Sequence, residues 1–173
     1  MIESHILQGP WLAQGFDSGT LEHRKQLLGV VVAYMPFETL LDVGCATGPD
    51  LFLYSLAFPN AKLTGIEIDQ DNVKQAKGSF KIIQSDLRDE LPKTPDKSYD
   101  IVTSNGVMMY HDFKYINDLI RIAKKAVIMS ERNPYKNRSI GEYLKNNQIQ
   151  CIITRVTGRD SWRDDGFIYN IKI

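Results

Sequence analysis

The sequence predicts an α/β fold in which helices cover both faces of a doubly wound, mostly parallel sheet of seven strands. Three observations support this prediction. Short apolar runs alternate with helix-like patterns, an order that is typical of βαβ units. The last two runs, 149–156 and 167–173, are rich in β-branched residues and enclose a polar stretch, which favours an antiparallel hairpin at one edge. The chain has 173 residues, a length typical of one domain.

The five other candidate strands are short apolar runs bounded by turn-forming residues. They cover residues 39–44, 62–68, 80–84, 99–104 and 126–130. Helical candidates lie before and between the strands, where apolar residues recur at helical spacing or a capping residue opens the segment. The predicted helices cover residues 21–35, 50–58, 71–77, 113–125 and 139–146.

The composition excludes several classes of protein. Hydrophobic residues make up 43% of the chain and charged residues 24%, as in ordinary globular proteins. No apolar run approaches the roughly 18 residues of a membrane-spanning helix, and the first residues do not resemble a signal peptide. Two cysteines are too few for a disulfide framework. We therefore expect one cytoplasmic domain, 1–173, with an amino-terminal arm (1–20) and a core (21–173).

The charges balance overall but not locally. The chain carries 21 basic and 21 acidic side chains, so a strongly basic nucleic-acid-binding protein is not expected. Residues 1–90 carry 7 basic and 12 acidic side chains, whereas residues 91–173 carry 14 basic and 9 acidic ones. Chance scatter over a solvated surface would explain this asymmetry, and so would a basic rim around an anionic substrate.

The segment from Leu40 to Asp50 is the most informative part of the sequence. An apolar strand is followed by an acidic residue, then by small residues that include Gly44 and Gly48, then by a helix. Small residues let backbone N–H groups approach a ligand, and in an open α/β sheet this turn lies at the carboxyl edge, where ligands bind. A tight structural turn is the alternative interpretation of the glycines alone.

Two acidic residues follow this turn at regular spacing. Glu67 lies 19 residues after Gly48 and ends the second predicted strand, and Asp86 lies 19 residues after Glu67, beyond the third. A carboxylate about 20 positions after such a turn accepts hydrogen bonds from ribose hydroxyls. Asp86, at the same edge, could accept one from an adenine amino group. The alternatives are a surface carboxylate at position 67 and a helix cap at position 86.

These residues resemble the class I S-adenosylmethionine (SAM)-dependent methyltransferases. Residues 42–48 (DVGCATG) look like the first motif of that family, 65–69 (GIEID) like the acidic end of its second strand, and 84–87 (QSDL) like its adenine-contacting segment. Residues 96–107 are similar to its fourth-strand motif. The resemblance covers residues 39–130 and implies a Rossmann-like sheet. A usual glycine is replaced by alanine at position 46, and a frequent aspartate by glutamate at position 67, and neither change argues against SAM.

The resemblance also implies which residues bind SAM and its product, S-adenosylhomocysteine (SAH). Glu67 would hold the ribose hydroxyls, and Ile68 would pack on the adenine. Asp86 and Leu87 would recognise the adenine edge. The Asn105 carbonyl would contact the SAM ammonium. The other implied cofactor residues, which border the bound molecule or orient the turn, are Asp42, Gly44, Cys45, Ala46, Gly48 and Gly106.

Candidate catalytic residues follow the fourth and fifth strands. Methyl transfer to a hydroxyl needs a general base, whereas transfer to an amine does not always need one. His111 is the first candidate, because histidine is the residue type that exchanges protons near neutral pH. Tyr110 and Glu131 are further candidates. His111 could equally be a loop residue that caps the next helix, and no histidines or cysteines show metal-ligand spacing.

The acceptor is expected to be a small, anionic molecule such as a nucleotide-linked sugar or a phosphorylated metabolite. Arg132 and Arg138 follow the fifth strand and would supply the basic rim. Trp11 and Phe16 would form a lid over the site, or they would only dock the amino-terminal arm on the core. Because the sheet takes up nearly the whole chain, the acceptor site is open, covered by the arm, or completed by another subunit, for example in a homodimer.

Two other functions compete with methyl transfer. A methyltransferase-like subunit could bind SAM or a partner protein without catalysis. A nicotinamide-dependent oxidoreductase would share the first turn and Glu67, but the spacing from Gly44 to Gly48 does not match G-x-G-x-x-G, and such enzymes usually carry a second domain. We rank both below the methyltransferase.

Overall fold

Seven strands form one sheet in the computed structural model, which describes residues 18–111, 113–132, 140–156 and 166–173. The strands are β1 (Thr39–Val43), β2 (Lys62–Glu67), β3 (Lys81–Gln84), β4 (Tyr99–Asn105), β5 (Ala123–Arg132), β6 (Ile152–Val156) and β7 (Gly166–Lys172). Their order is β3-β2-β1-β4-β5-β7-β6. Strands β1 to β5 run parallel, and β7 is antiparallel to β5 and β6. The predicted fold class, including the antiparallel hairpin, is confirmed.

Helices cover both faces of this sheet. They are α1 (Ser18–Val32), α2 (Pro49–Ala57), α3 (Gln70–Gln75), α4 (Leu87–Glu90), α5 (Tyr115–Ile122) and α6 (Ile140–Asn146). Two 3₁₀ turns, Leu91–Lys93 and Met108–Tyr110, follow β3 and β4 along the chain. Within the described ranges, no helix is long and apolar enough to cross a membrane.

Two hydrophobic cores lie on opposite faces of the sheet. Successive side chains of a strand point to opposite faces, so Leu40 and Leu41 of β1 enter different cores. Leu40 packs in a cluster with Leu27 of α1 and Leu51 of α2. Leu41 packs in the second cluster, which includes Leu119 of α5. Burying each of these leucines stabilises the fold by roughly 1.5–3 kcal/mol, and together they fix the strands whose ends carry the site.

Several predicted boundaries are wrong by three residues, among them the start of β6, which is Ile152 and not Ile149. The helix predicted over 113–125 ends at Ile122, and Ala123 begins β5, where it pairs with Tyr99 of β4. The central strand satisfies its backbone hydrogen bonds by this pairing, which outweighs the helical pattern. Helix α1 covers Ser18–Val32 and not the predicted range 21–35, so it begins three residues earlier and ends three residues earlier than predicted.

Helix α4 escaped the sequence-based prediction. Its four residues, Leu87 to Glu90, are too few to show an apolar repeat. The available signal was Asp86, which accepts a hydrogen bond from the Arg88 N–H as the N-cap residue.

Candidate active site

A cavity of about 260 Å³ opens at the carboxyl ends of the central strands. Among its lining residues, the predicted site residues are Gly44, Glu67, Ile68, Asp86, Leu87, Gly106, Tyr110 and His111. The other lining residues are Ile66, Ser85, Arg88 and Val107. The Ile68 residue is 62% exposed. A large exposed apolar residue beside convergent polar groups is typical of a ligand site.

The first turn, residues 44–48, has a left-handed backbone at three positions. The angle φ is +69° at Gly44, +50° at Ala46 and +81° at Gly48. A Cβ atom at position 44 would fall on the Val107 side chain, and one at position 48 would lie 2.8 Å from the Phe80 ring. Both glycines are therefore required by the backbone and by close packing, whereas Ala46 is exposed and adopts the same region with a modest strain.

Glu67 fastens the first turn to the ends of β2 and β3. Its carboxylate is almost buried and accepts hydrogen bonds from the Ala46 N–H at 2.8 Å and from the Asp69 N–H at 2.8 Å, one on each oxygen. Its backbone carbonyl accepts from the Ser85 N–H at 3.0 Å. Because a carboxylate oxygen can accept more than one hydrogen bond, both oxygens retain capacity for ligand hydroxyls.

Asp86 is held by an arginine on the same turn of chain. One of its oxygens accepts from the Arg88 backbone N–H at 2.8 Å, and the other accepts from the Arg88 guanidinium Nη2 at 2.5 Å. These side-chain and backbone hydrogen bonds lower the pKa of Asp86 to about 2. The Arg88 side chain is 64% exposed. The carboxylate is thus ionised at neutral pH and is bound by a side chain that is free to exchange partners.

Asp42 is buried beneath the first turn and does not line the cavity. Its carboxyl group accepts a hydrogen bond of 2.8 Å from the Thr103 hydroxyl. Burial, reinforced by the charge of Asp50, raises the pKa of Asp42 well above its usual value. Burial also raises the pKa of the neighbouring Cys45 thiol, which therefore remains protonated at neutral pH and is not a nucleophile.

Asn105 ends β4, next to the cavity-lining Gly106, and its side chain is hydrogen-bonded to Asp50. The amide Nδ2 donates to Asp50 Oδ2 at 2.9 Å. The same carboxylate forms an ion pair of 2.5 Å with Arg24 of α1. Gly106, which follows with φ at +73°, donates its N–H to the Ser130 carbonyl at 2.7 Å. These contacts fix the backbone at the end of β4.

Tyr110 and His111 are the two predicted catalytic side chains that line the cavity. Tyr110 is 73% exposed. The His111 ring meets the Tyr115 ring edge-on, with 6.3 Å between the ring centroids. Both residues are thus accessible from the cavity, and Tyr110 is also exposed to solvent.

Glu131, the third predicted catalytic residue, is buried in β5. Its Oε1 accepts hydrogen bonds from the Val107 N–H at 3.1 Å and from the Met108 N–H at 2.9 Å. These two N–H groups begin the 3₁₀ turn that carries Tyr110. The carboxylate therefore supports the cavity wall, and it does not line the cavity itself.

The predicted acceptor residues fall largely outside the described chain. Trp11, Phe16 and Arg138 belong to the segments that are not described. Arg132 is the last residue of β5, and its side chain is likewise not described. Within the described ranges, no group of three or more metal-ligating side chains is found.

Sequence analysis missed three polar residues that shape the site. Arg88 carried no recognisable signal beyond its position after Asp86. Asp50 stands directly after the Gly48-Pro49 step that opens α2, and this acidic residue at a helix start was the available signal. Nothing in the sequence connects Arg24 with Asp50, since 25 residues, including the whole of β1, separate them.

Comparisons with known proteins agree with this geometry. A family model described as a methyltransferase domain matches residues 37–163. A curated tRNA1(Val) (adenine(37)-N6)-methyltransferase from Pedobacter heparinus is 31% identical over 97 residues, a match that spans 51% of this chain and 40% of that protein.

Solved structures share the fold at low sequence identity. A SAM-dependent methyltransferase from Aquifex aeolicus is 17% identical, with a TM-score of 0.65 over 91% of this chain and 94% of that one. The N-methyltransferase NodS from Bradyrhizobium japonicum, solved in complex with SAH, is 13% identical, with a TM-score of 0.70 over 97% and 90% of the two chains. Because the family model spans more than half of the sequence, the chain belongs to the methyltransferase-domain family, and its sheet has the fold of the class I SAM-dependent methyltransferases.

Proposed function

We propose that this methyltransferase acts on an oxygen or nitrogen nucleophile of a small, anionic acceptor, and that it binds SAM in the cavity described above. The observation that carries the proposal is the convergence of Gly44, Glu67, Asp86 and Gly106 on that single cavity. These residues come from four consecutive strand ends. The cavity therefore offers close approach to the backbone at two glycines, two carboxylates and an apolar rim to one molecule.

The adenosine half of the cofactor fits the ends of β2 and β3. The Glu67 carboxylate has capacity left on both oxygens, which suits the two hydroxyls of a ribose. Ile68, exposed at the rim, and Leu87 would pack on the two-ring base. Asp86 would accept a hydrogen bond from the adenine amino group, with or without release of Arg88.

The amino-acid half of the cofactor fits the first turn and the end of β4. Gly44 and Gly106 line the cavity, so the backbone approaches the ligand there without side chains in between. Gly48, Ala46 and Cys45 shape the turn from behind. Asp42 lies below it and would orient the turn, while Asn105 would present its carbonyl to the ammonium group.

Bound SAM supplies an electrophilic methyl group, and the chain has to orient the two reactants. Much of the rate can come from this orientation alone. His111 would accept the proton of a hydroxyl acceptor, because it lines the cavity. Tyr110 would contact the acceptor. Glu131 would act indirectly, by holding the turn that carries both residues.

The acceptor is proposed to be anionic because of the basic residues after β5. Arg132 and Arg138 would bind its negative groups, and Trp11 and Phe16 would cover it from the amino-terminal arm. The relative from Pedobacter heparinus acts on a tRNA, an anionic molecule of another class. The balanced total charge of this chain favours a small acceptor over a nucleic acid.

The experiment is a methyl-transfer screen with radiolabelled SAM against nucleotide-linked sugars, phosphorylated metabolites, uncharged alcohols and amines, and tRNA transcripts. The proposal predicts label transfer to a small anionic compound. The double variant Arg132→Ala, Arg138→Ala should raise the KM for that compound and leave kcat nearly unchanged, whereas Lys172→Ala at the end of β7 should change neither. Transfer only to tRNA or to uncharged compounds would contradict the proposed acceptor. Binding of SAM without transfer to any acceptor would favour the non-catalytic alternative.

A further inference from the structure

Two consecutive residues of α1 reach the carboxyl edge of the sheet. His23 Nε2 lies 2.5 Å from the hydroxyl of Ser130, near the end of β5. Arg24 Nη1 lies 2.5 Å from Asp50 Oδ2, at the start of α2. The Asp50 and Arg24 side chains are only 7% and 14% exposed, so this ion pair is shielded from water. Buried ion pairs need accurate geometry, and the folded protein loses stability when one partner is replaced, because the other charge is left buried without a partner.

The carboxylate of Asp50 connects three elements through a single oxygen. Oδ2 accepts from the Arg24 guanidinium of α1 and, at 2.9 Å, from the Asn105 amide at the end of β4. Asp50 itself belongs to the first turn of α2, two residues after Gly48. A displacement of α1 would therefore be felt at Asn105, and a displacement of Asn105 would be felt by α1.

Asp50 Oδ2 lies close to the proposed cofactor site. Asn105 is followed by Gly106, which lines the cavity, and Gly48 ends the first turn. The charge of Asp50 raises the pKa of Asp42 beneath that turn, whereas the charge of Arg24 lowers it. The three charged groups are therefore within electrostatic reach of one another and of the turn.

We propose that Asp50 is a positioning residue that couples the docking of α1 to the binding of the cofactor beside Asn105. The inference rests on the proposed function in one respect, namely that the amino-acid end of SAM lies at this end of β4. Coupling through a shared contact is reciprocal. SAH binding should therefore stabilise α1, and loss of the Asp50 charge should weaken the binding of SAH.

The variant Asp50→Asn removes the charge and keeps the shape of the side chain. We expect the Kd for SAH to rise on the order of tenfold, within the range of typical coupling between sites. 5′-Methylthioadenosine, which has the adenosine but lacks the amino-acid end, should bind wild type and variant with Kd values within about twofold. Lys25→Met is the matched control, because Lys25 is the next residue of α1 and its described contact is an exposed ion pair with Glu22.

Hydrogen exchange provides a second measurement. If the role of Asp50 were purely structural, its substitution would not alter the effect of SAH on amide exchange in α1. In the wild-type chain, SAH should slow amide exchange in α1, and in Asp50→Asn this effect should disappear. If Asp50→Asn does not fold, Arg24→Lys keeps the charge and weakens the geometry, and it should give the same pattern to a smaller extent. Unfolding that becomes easier while the SAH affinity and the α1 response stay unchanged would overturn the proposal.

A ligand-free measurement separates this proposal from the proposed function. Asn105→Ala should speed amide exchange in α1 without any ligand, because it removes one of the two described donors to Asp50 Oδ2. If wild type binds neither SAH nor 5′-methylthioadenosine, the proposed cofactor site fails, and faster α1 exchange in Asn105→Ala still supports the link from α1 through Asp50 to the end of β4. Unchanged α1 exchange in that variant overturns the coupling whatever the cofactor does.

Discussion

The ends of β2 and β3 carry two carboxylates that look equivalent in the sequence and are held in opposite ways. Glu67 is 8% exposed and accepts hydrogen bonds from two backbone N–H groups. Asp86 caps α4 and is held mainly by the exposed side chain of Arg88. Both lie at the same edge of the sheet and line the same cavity.

Glu67 is therefore held in a fixed position before ligand binding, whereas the position of Asp86 is adjustable. Backbone donors cannot leave Glu67 without unfolding of the first turn, so the position of its oxygens is fixed before any ligand arrives. Arg88 can rotate away from Asp86 at the cost of exposed hydrogen bonds, which are worth little in water. We therefore expect the ribose side of the site to be rigid and the adenine side to adapt.

The largest effect is expected from Glu67→Ala. The change removes the acceptor for the N–H groups of Ala46 and Asp69 together with the proposed ribose contacts. We expect SAH affinity to fall about 100-fold or more and the free energy of unfolding to fall by about 1–3 kcal/mol. Calorimetry and denaturant unfolding measure the two effects. An affinity within threefold of wild type would remove Glu67 from the site; Asp89→Ala, an exposed acid in α4, is the control.

Gly44→Ala should reproduce much of this effect without touching a carboxylate. A Cβ at this position would fall on Val107, and the backbone is in the left-handed region. The first turn would shift, and we expect SAH affinity to fall about tenfold, with a loss of stability on the order of 1–2 kcal/mol. Ala46→Gly is the matched control, because it relieves strain in the same turn. Normal SAH binding by Gly44→Ala would show that the turn is not part of the site.

A smaller effect is expected at the adjustable end. Asp86→Asn keeps an oxygen that can cap α4 and loses the charged acceptor, so we expect SAH affinity to fall about threefold to tenfold. Arg88→Gln should leave SAH affinity equal to or higher than that of wild type, because the Arg88 guanidinium no longer competes with adenine for Asp86. A fall in affinity in Arg88→Gln as large as that in Asp86→Asn would mean that Arg88 itself contacts the ligand.

The smallest effect concerns acid stability. Asp86 has its pKa lowered from 3.8 to about 2 by Arg88, so the folded state favours its ionised form. A lowered pKa in the folded state gives stability that is present above pH 4 and is lost as the pH falls from about 4 to 2. Arg88→Gln should therefore lower Tm slightly at pH 5 to 7, and the difference should vanish near pH 2. A difference that grows below pH 4 would contradict this assignment.

The sequence predicted the strands that carry the proposed cofactor residues because each is a short apolar run with a polar residue at its end. It could not predict how Glu67 and Asp86 are held. One backbone donor to Glu67, the Ala46 N–H, comes from a turn 21 residues earlier, and the Arg88 guanidinium bends back on its own helix cap. Such contacts depend on three-dimensional closure and leave no periodic trace.

Contacts at the ends of β4 and β5 were even harder to predict from the sequence. Glu131 was predicted as a catalytic residue from its place after a strand, yet it is directed at the backbone N–H groups of Val107 and Met108. One position along a strand decides whether a side chain meets the cavity or the core, because the faces alternate. The links from Arg24 and His23 to the sheet edge are equally invisible in the sequence, since both join distant segments.

Titration of SAH into the wild-type chain and into Glu67→Ala, with Asp89→Ala as control, decides whether this cavity holds the cofactor. We expect one SAH per chain for wild type and control with equal Kd, and at least about 100-fold weaker binding for Glu67→Ala. No binding of SAH to the wild-type chain would contradict the cofactor site, as would equal binding by wild type and Glu67→Ala.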